Sequence, residues 1–114
     1  MTERDIGYAI DIVIACRDIE HFKINKTDDA LQFDEMYQAA VIRKLEVIGE
    51  VAKRLSDDFK TKHFSINWKG WAGLRDRLIH GYDDIDLGID TNVLSNEIPL
   101  LLHELNGYEA ENSD

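Results

Sequence analysis

The stretch Tyr37-Gln38-Ala39-Ala40-Val41-Ile42-Arg43-Lys44-Leu45-Glu46-Val47-Ile48-Gly49-Glu50-Val51-Ala52-Lys53-Arg54-Leu55 decides what kind of fold this chain adopts. Tyr37, Val41, Leu45, Ile48, Ala52 and Leu55 follow one another at intervals of four, four, three, four and three residues. That rhythm draws a single apolar stripe along an α-helix and cannot be read as the alternation of a strand. The helix is expected from about Phe33 to Ser56. Ala39, Ala40, Val47 and Val51 widen the stripe, so the helix has a second packing partner to satisfy.

Toward the N-terminus, Ile6, Ala9, Ile10, Val13, Cys16, Ile19 and Phe22 recur at helical spacing and predict a first helix from Glu3 to Phe22. Cys16 lies in that stripe and reads as a core residue, not a nucleophile. The polar run from Lys23 to Asp29 breaks the pattern, with Thr27 or Asp28 placed to cap the next helix. Toward the C-terminus, residues 57–64 read as a short turn of helix and a connector. A third major helix opens at Asn67 or Trp68, with Asn67 as a suitable N-cap, and runs to about Tyr82. Asp83, Asp84 and Asp86 belong to a loop. Asp90 or Thr91 then caps a last helix, in which Val93, Leu94, Ile98, Leu101, Leu102 and Leu105 face inward. Pro99 falls inside that pattern and predicts a kink or a late start. Residues 1–106 therefore read as one all-α helical domain, and residues 107–114 as a flexible acidic tail.

Composition narrows the function. With 114 residues, 44% of them apolar, the chain has material for one core and not two. One cysteine cannot make an internal disulfide, no apolar run reaches the roughly 18 residues of a membrane span, and the start Met1-Thr2-Glu3-Arg4-Asp5 is not a signal peptide. A cytoplasmic protein with no membrane partner is expected. The net charge of −10 argues against a broad nucleic-acid-binding surface, so any grip on a phosphate backbone must come from a few positioned cations.

The candidate cations lie in Arg75-Asp76-Arg77-Leu78-Ile79-His80-Gly81-Tyr82. At about 100° per residue, Trp71, Leu74, Leu78, Ile79 and Tyr82 fall within roughly 100° of Arg75. The arginine thus sits at or beside an apolar stripe, where a guanidinium needs an anion. That anion is either a core or interface carboxylate or a phosphate, for which the planar fork is well suited. His80 points about 140° away from Arg75 on an ideal helix. Asp76 and His80 are one turn apart, so the carboxylate is placed to orient the imidazole. Ala72 and Gly73 flank that face, and small residues let a second copy of the helix approach, so that two copies of the motif compose one site across a symmetric interface. His21, His63 and His103 lie on separate elements without the i, i+4 pairing of a metal site. Asp83, Asp84 and Asp86 with His80 form at most a weak cation candidate beside the plainer reading of a solvated loop. Trp68 and Trp71 read as core before they read as base-stacking platforms.

Arg75, four residues, His80, one residue, Tyr82 resembles the Arg-x4-His-x-Tyr signature of HepT-like toxins, a branch of the HEPN ribonuclease superfamily. Gln38 to Lys53 is similar to that family's central helix, and Trp68, Gly73 to Asp76 and Leu78 to Tyr82 are similar to its motif helix. The likeness spans roughly residues 1–106. Asp76 stands where many relatives carry Asn, and residues 83–86 are more acidic than is usual. The resemblance implies an up-and-down helical bundle of about four main helices plus a short connector, homodimeric through the motif helix. It implies a metal-independent endoribonuclease with no cofactor, the toxic half of a toxin–antitoxin pair. Its partner would be an MntA-like nucleotidyltransferase antitoxin that silences it by transferring AMP onto Tyr82. Cleavage of RNA without a metal needs a base for the 2′-hydroxyl, an acid for the leaving oxygen and charge stabilisation at phosphorus. His80 is expected to move the proton, Arg75 to hold the phosphate and Asp76 to support His80. Two rivals remain at this level: a non-catalytic HEPN module that binds a nucleotide or partner, and a structural dimer in which the motif is an interface ion-pair network.

Overall fold

A computed structural model of the chain describes residues 2–80 and 91–112, with side chains described for 2–79 and 91–109. Among these residues the fold is an all-α bundle. Its elements are α1 (Glu3–Phe22), α2 (Ala30–Phe33), α3 (Glu35–Arg54), α4 (Asp57–Lys62), α5 (Trp68–His80), a π-helical stretch (Val93–Glu97) and α6 (Ile98–Asn112). α3 packs on both α1 and α5, and α1 packs on α6.

That arrangement explains the width of the apolar stripes. All six residues of the apolar stripe are buried, together with Ile42, Gly49 and Val51, because α3 has helices on two sides; of the other residues expected to widen it, Ala40 and Val47 are partly covered and Ala39 is exposed. α1 is likewise pressed between α3 and α6. It therefore buries Ile12 and Ala15 besides the expected Ala9, Val13, Cys16 and Ile19, whereas Ile6, Ile10 and Phe22 are only partly covered. Burial of Cys16, with Glu20 adding negative charge nearby, pushes its thiol up to about 12, so it is an inert core group.

Local chemistry sets the helix ends. Thr2 and Asp5 form a reciprocal capping box, Thr2 Oγ1 accepting from the Asp5 amide at 3.0 Å and Asp5 Oδ2 from the Thr2 amide at 3.2 Å. The long helix expected from Phe33 is interrupted at Asp34, which is extended (φ −99°, ψ 100°). Its side chain accepts from the Tyr37 amide at 3.1 Å, and its own amide closes α2 on the Ala30 carbonyl at 2.8 Å. Asp34, and neither Thr27 nor Asp28, is the cap of α3. Asn67 caps α5 as expected, accepting from the Gly70 amide at 2.9 Å.

Pro99 does not delay the start of the helix, which is already formed at Thr91; the irregularity it imposes falls just before it. The residues before it widen into the π-helical stretch, where the Ile98 amide bonds the Val93 carbonyl five residues back. Proline has no amide to give to Ser95 four residues back, and the wider turn accommodates the ring. Thr91 is already helical, and the alternative cap Asp90 lies outside the described residues. Beyond residue 106 the helix continues to Asn112, and Tyr108 is buried. The chain thus stays helical past Gly107, where the acidic tail was expected to begin, because Tyr108 reaches back into the core. Its hydroxyl lies 2.6 Å from His63 Nε2, and its ring packs 5.5 Å from Phe59 between centroids. Among the described residues no helix is long and apolar enough to cross a membrane.

Candidate functional site

α3 and α5 meet at Gly49. A Cβ there would collide with Arg75 Cβ and lie 2.7 Å from the Trp71 carbonyl oxygen. Only a residue without a side chain lets α5 come this close, and the approach presses the stem of Arg75 onto α3. Trp71, Leu74 and Leu78 carry the buried face of α5. Trp68 and Trp71 are core residues, with Trp68 Nε1 donating to the His63 carbonyl at 3.1 Å. Ile79, counted with the Arg75 stripe on the helical wheel, is exposed at 48%.

Arg75 sits at the edge of this contact, its side chain 25% exposed. Its guanidinium is divided between two carboxylates: Nη2 to Glu50 Oε2 at 2.8 Å and Nη1 to Asp76 Oδ1 at 3.1 Å. Nε is shielded from solvent and has no hydrogen-bond partner among the described residues. Asp76 Oδ1 also accepts from Lys53 Nζ at 2.7 Å. Hydrogen bonds from Lys53, then from Arg75, hold the Asp76 carboxyl below its ordinary range, so it is an anion near neutrality. Glu50 Oε1 in turn lies 3.3 Å from Arg54 Nη2. The anion that the Arg75 position demanded is therefore present twice, once from α3 and once from its own helix.

Above this cluster lies an open groove of about 400 Å³, lined by Arg43, Val47, Glu50, Arg54, Arg75 and Ile79 among others. Three arginines gather in one groove on a chain of net charge −10, each ion-paired to a carboxylate, with Glu46 and Glu50 in the same lining. On the neighbouring face of α5, Gly73 is exposed and a Cβ there would meet nothing within 4 Å, so this side of the helix is open.

His80 is the last residue of α5, one turn beyond Asp76 on the same helix. Its side chain, and Gly81, Tyr82, Asp83, Asp84 and Asp86, lie outside the described residues. Of the other histidines, His21 and His103 are exposed, and His63 is a buried structural residue between Tyr108 and Glu104. Among the described residues no cluster of three His, Cys, Asp or Glu side chains is arranged to hold a metal ion.

Spacing along the chain pointed to Arg75, Asp76 and His80 but not to Gly49, Glu50 or Lys53. These three belong to a helix whose apolar stripe was legible, and their relation to α5 is a matter of helix packing. The one hint was the glycine itself, which lowers helix stability by about 1 kcal/mol and so asks for a packing reason.

Residues 12–106 match the family described as Ribonuclease HepT-like. A Methanocaldococcus jannaschii protein named "Putative RNase" is 40% identical over 106 residues, covering 92% of this chain and 88% of that protein. A Thermococcus cleftensis protein named "Probable ribonuclease HepT" is 38% identical over 94 residues, covering 82% of this chain and 86% of its own. No solved structure matches. The chain belongs to the HepT-like ribonuclease family.

Proposed function

We propose that this chain is a metal-independent endoribonuclease toxin whose site is composed across a homodimer. The observation that carries the reading is the Arg75 cluster. A guanidinium is held at the mouth of a groove by Glu50 and Asp76, on the helix that ends at His80. Family membership supplies the reaction class.

In this reading Arg75 binds a non-bridging phosphate oxygen of RNA and stabilises the charge that grows at phosphorus. His80 of one protomer removes the 2′-hydroxyl proton, and the 2′-oxygen attacks phosphorus. The bond to the 5′-oxygen breaks, the imidazolium of the second protomer protonates that oxygen, and a 2′,3′-cyclic phosphate remains. Asp76 supports His80 from one turn back. The open face at Ala72 and Gly73 is where a second α5 would pack. Tyr82, next to the site in sequence, is the proposed acceptor of AMP from an MntA-like nucleotidyltransferase antitoxin, and the setting is cytoplasmic.

The test is cleavage of a mixed RNA pool by purified protein, wild type against Arg75→Ala, with light scattering on the same samples. A dimer that cuts RNA and loses at least about 100-fold on Arg75→Ala is expected. An active monomer would sink the composite site. The prior occupation of Arg75 by two carboxylates favours the structural ion-pair network, and the non-catalytic binding module is the other rival. Binding of RNA with no cleavage by any preparation would select it.

A further inference from the structure

The cluster around Arg75 alternates in charge: Arg54, Glu50, Arg75, Asp76, Lys53. Among these described residues three cations face two carboxylates. Glu50 holds a distinct place in it. Asp76 shares one oxygen between Lys53 and Arg75, whereas Glu50 spends a different oxygen on each of two arginines. Its Oε2 lies 2.8 Å from Arg75 and its Oε1 3.3 Å from Arg54.

A carboxylate oxygen and a phosphate oxygen compete for the same guanidinium N–H groups, and on Arg75 Glu50 Oε2 takes Nη2 while Asp76 Oδ1 takes Nη1. Glu50 therefore sits where a substrate phosphate on Arg75 would sit. It also has a second cation already in reach. Arg54 is 58% exposed and Glu50 39%, so both side chains have room to move toward the solvent side of the groove. A carboxylate released by Arg75 would not be left unpaired, and an exposed ion pair is weak enough to be exchanged at little cost.

We propose that Glu50 is an internal phosphate surrogate, which holds Arg75 aligned in the free protein and passes to Arg54 when an RNA phosphate takes its place. Glu50 is then a positioning residue that regulates access to the clamp. An isolated small anion must displace it with one contact, whereas a strand that also meets Arg43 along the groove offsets the exchange through a second. The proposal rests on the reading of Arg75 as the phosphate-binding group.

The experiment measures binding of a 2′-O-methyl RNA oligonucleotide, which lacks the attacking hydroxyl, together with kcat and KM on cleavable RNA. Glu50→Gln keeps the shape and removes the charge. It is expected to bind the oligonucleotide about five- to tenfold tighter at low salt and to lower KM without raising kcat. Glu50→Ala, which removes the carboxylate altogether, is expected to tighten binding in the same direction, and circular dichroism checks that both variants remain helical. Glu46→Gln removes one negative charge from the same groove, beside Arg43 and not Arg75, and is expected to change binding less. The gain from Glu50→Gln should vanish in an Arg75→Ala background. Unchanged or weaker binding by Glu50→Gln, an equal gain from Glu46→Gln, or a gain that survives loss of Arg75 would each overturn the proposal. Tighter binding by Glu50→Gln with no cleavage by any form would uphold it while sinking the ribonuclease reading. Cleavage that depends on Arg75 with no effect at Glu50 would do the reverse.

Discussion

Gly49 of α3 lies against the stem of Arg75 of α5, so close that a Cβ at Gly49 would fall 3.3 Å from Arg75 Cγ and 2.7 Å from the Trp71 carbonyl oxygen. The relationship couples packing to chemistry, since the same approach that closes the α3–α5 core sets the Arg75 guanidinium beside Glu50. Alanine is the better helix former by about 1 kcal/mol, but here the new methyl meets a backbone carbonyl that cannot step aside. Gly49→Ala is expected to destabilise the fold by about 1–3 kcal/mol, read as a lower urea midpoint at unchanged slope. Gly7→Ala is the control, since a Cβ there meets nothing within 4 Å. It should be neutral or stabilising by up to about 1 kcal/mol. A stabilised Gly49→Ala would show that the helices have slack at this point.

Asp5 should govern the acid limb of stability. It is buried, and burial alone would raise its pKa. Hydrogen bonds from Ser56 Oγ at 2.6 Å and the Ser56 amide at 2.9 Å, with those from Thr2, outweigh that and hold it below its ordinary value of 3.8. A carboxyl whose pKa is depressed by folding stabilises the protein above the unfolded value, and the contribution is lost as pH falls through the folded one. Stability should therefore drop as pH falls below about 4. Asp5→Asn should flatten that drop and cost about 1–3 kcal/mol at neutral pH, by loss of charge-assisted bonds between the start of α1 and the α3–α4 junction. A neutral-pH stability equal to wild type would remove Asp5 from this role.

Cleavage should persist in EDTA and leave 2′,3′-cyclic phosphate ends, since the proposed reaction runs on imidazole and guanidinium. His80→Ala should abolish it with the helical circular dichroism signal intact. In the proposed dimer two symmetry-related His80 imidazoles would resist double protonation, so the rate should be bell-shaped in pH with a maximum near neutrality. Activity lost in EDTA and restored by Mg²⁺ would instead move attention to Asp83, Asp84 and Asp86.

Tyr82 is the proposed point of silencing. An added AMP brings a phosphate, whose negative charge would repel the RNA backbone. After co-expression with a nucleotidyltransferase partner, intact-mass measurement should show wild-type protein heavier by AMP units and Tyr82→Phe without them. Tyr82→Phe should still fold, and should cut RNA whether or not the partner is present. Equal mass gain by both proteins would place the modification elsewhere.

Much of this molecule is written in intervals along the chain. The three- and four-residue spacing from Tyr37 to Leu55 determines a helix, and Asn67 starts α5, because hydrogen bonds within a turn depend on near neighbours. The proximity of Arg75 to an apolar stripe likewise follows from the pitch of a helix, and with it the need for an anion. Which anion is a different matter. Glu50 lies on another helix, and so does Lys53, the cation that reaches Asp76. Their meeting depends on the depth and register at which α5 settles on α3, set by the missing side chain at Gly49 and the bulk of Trp71 and Leu74. The pairing of His63 with Tyr108 is of the same kind, and it carries α6 beyond the point where polar composition alone would end it. Local periodicity determines elements because it acts through bonds a few residues apart. Tertiary packing alone decides these pairs, because the chain between them can be closed in many ways and only the filled core selects one.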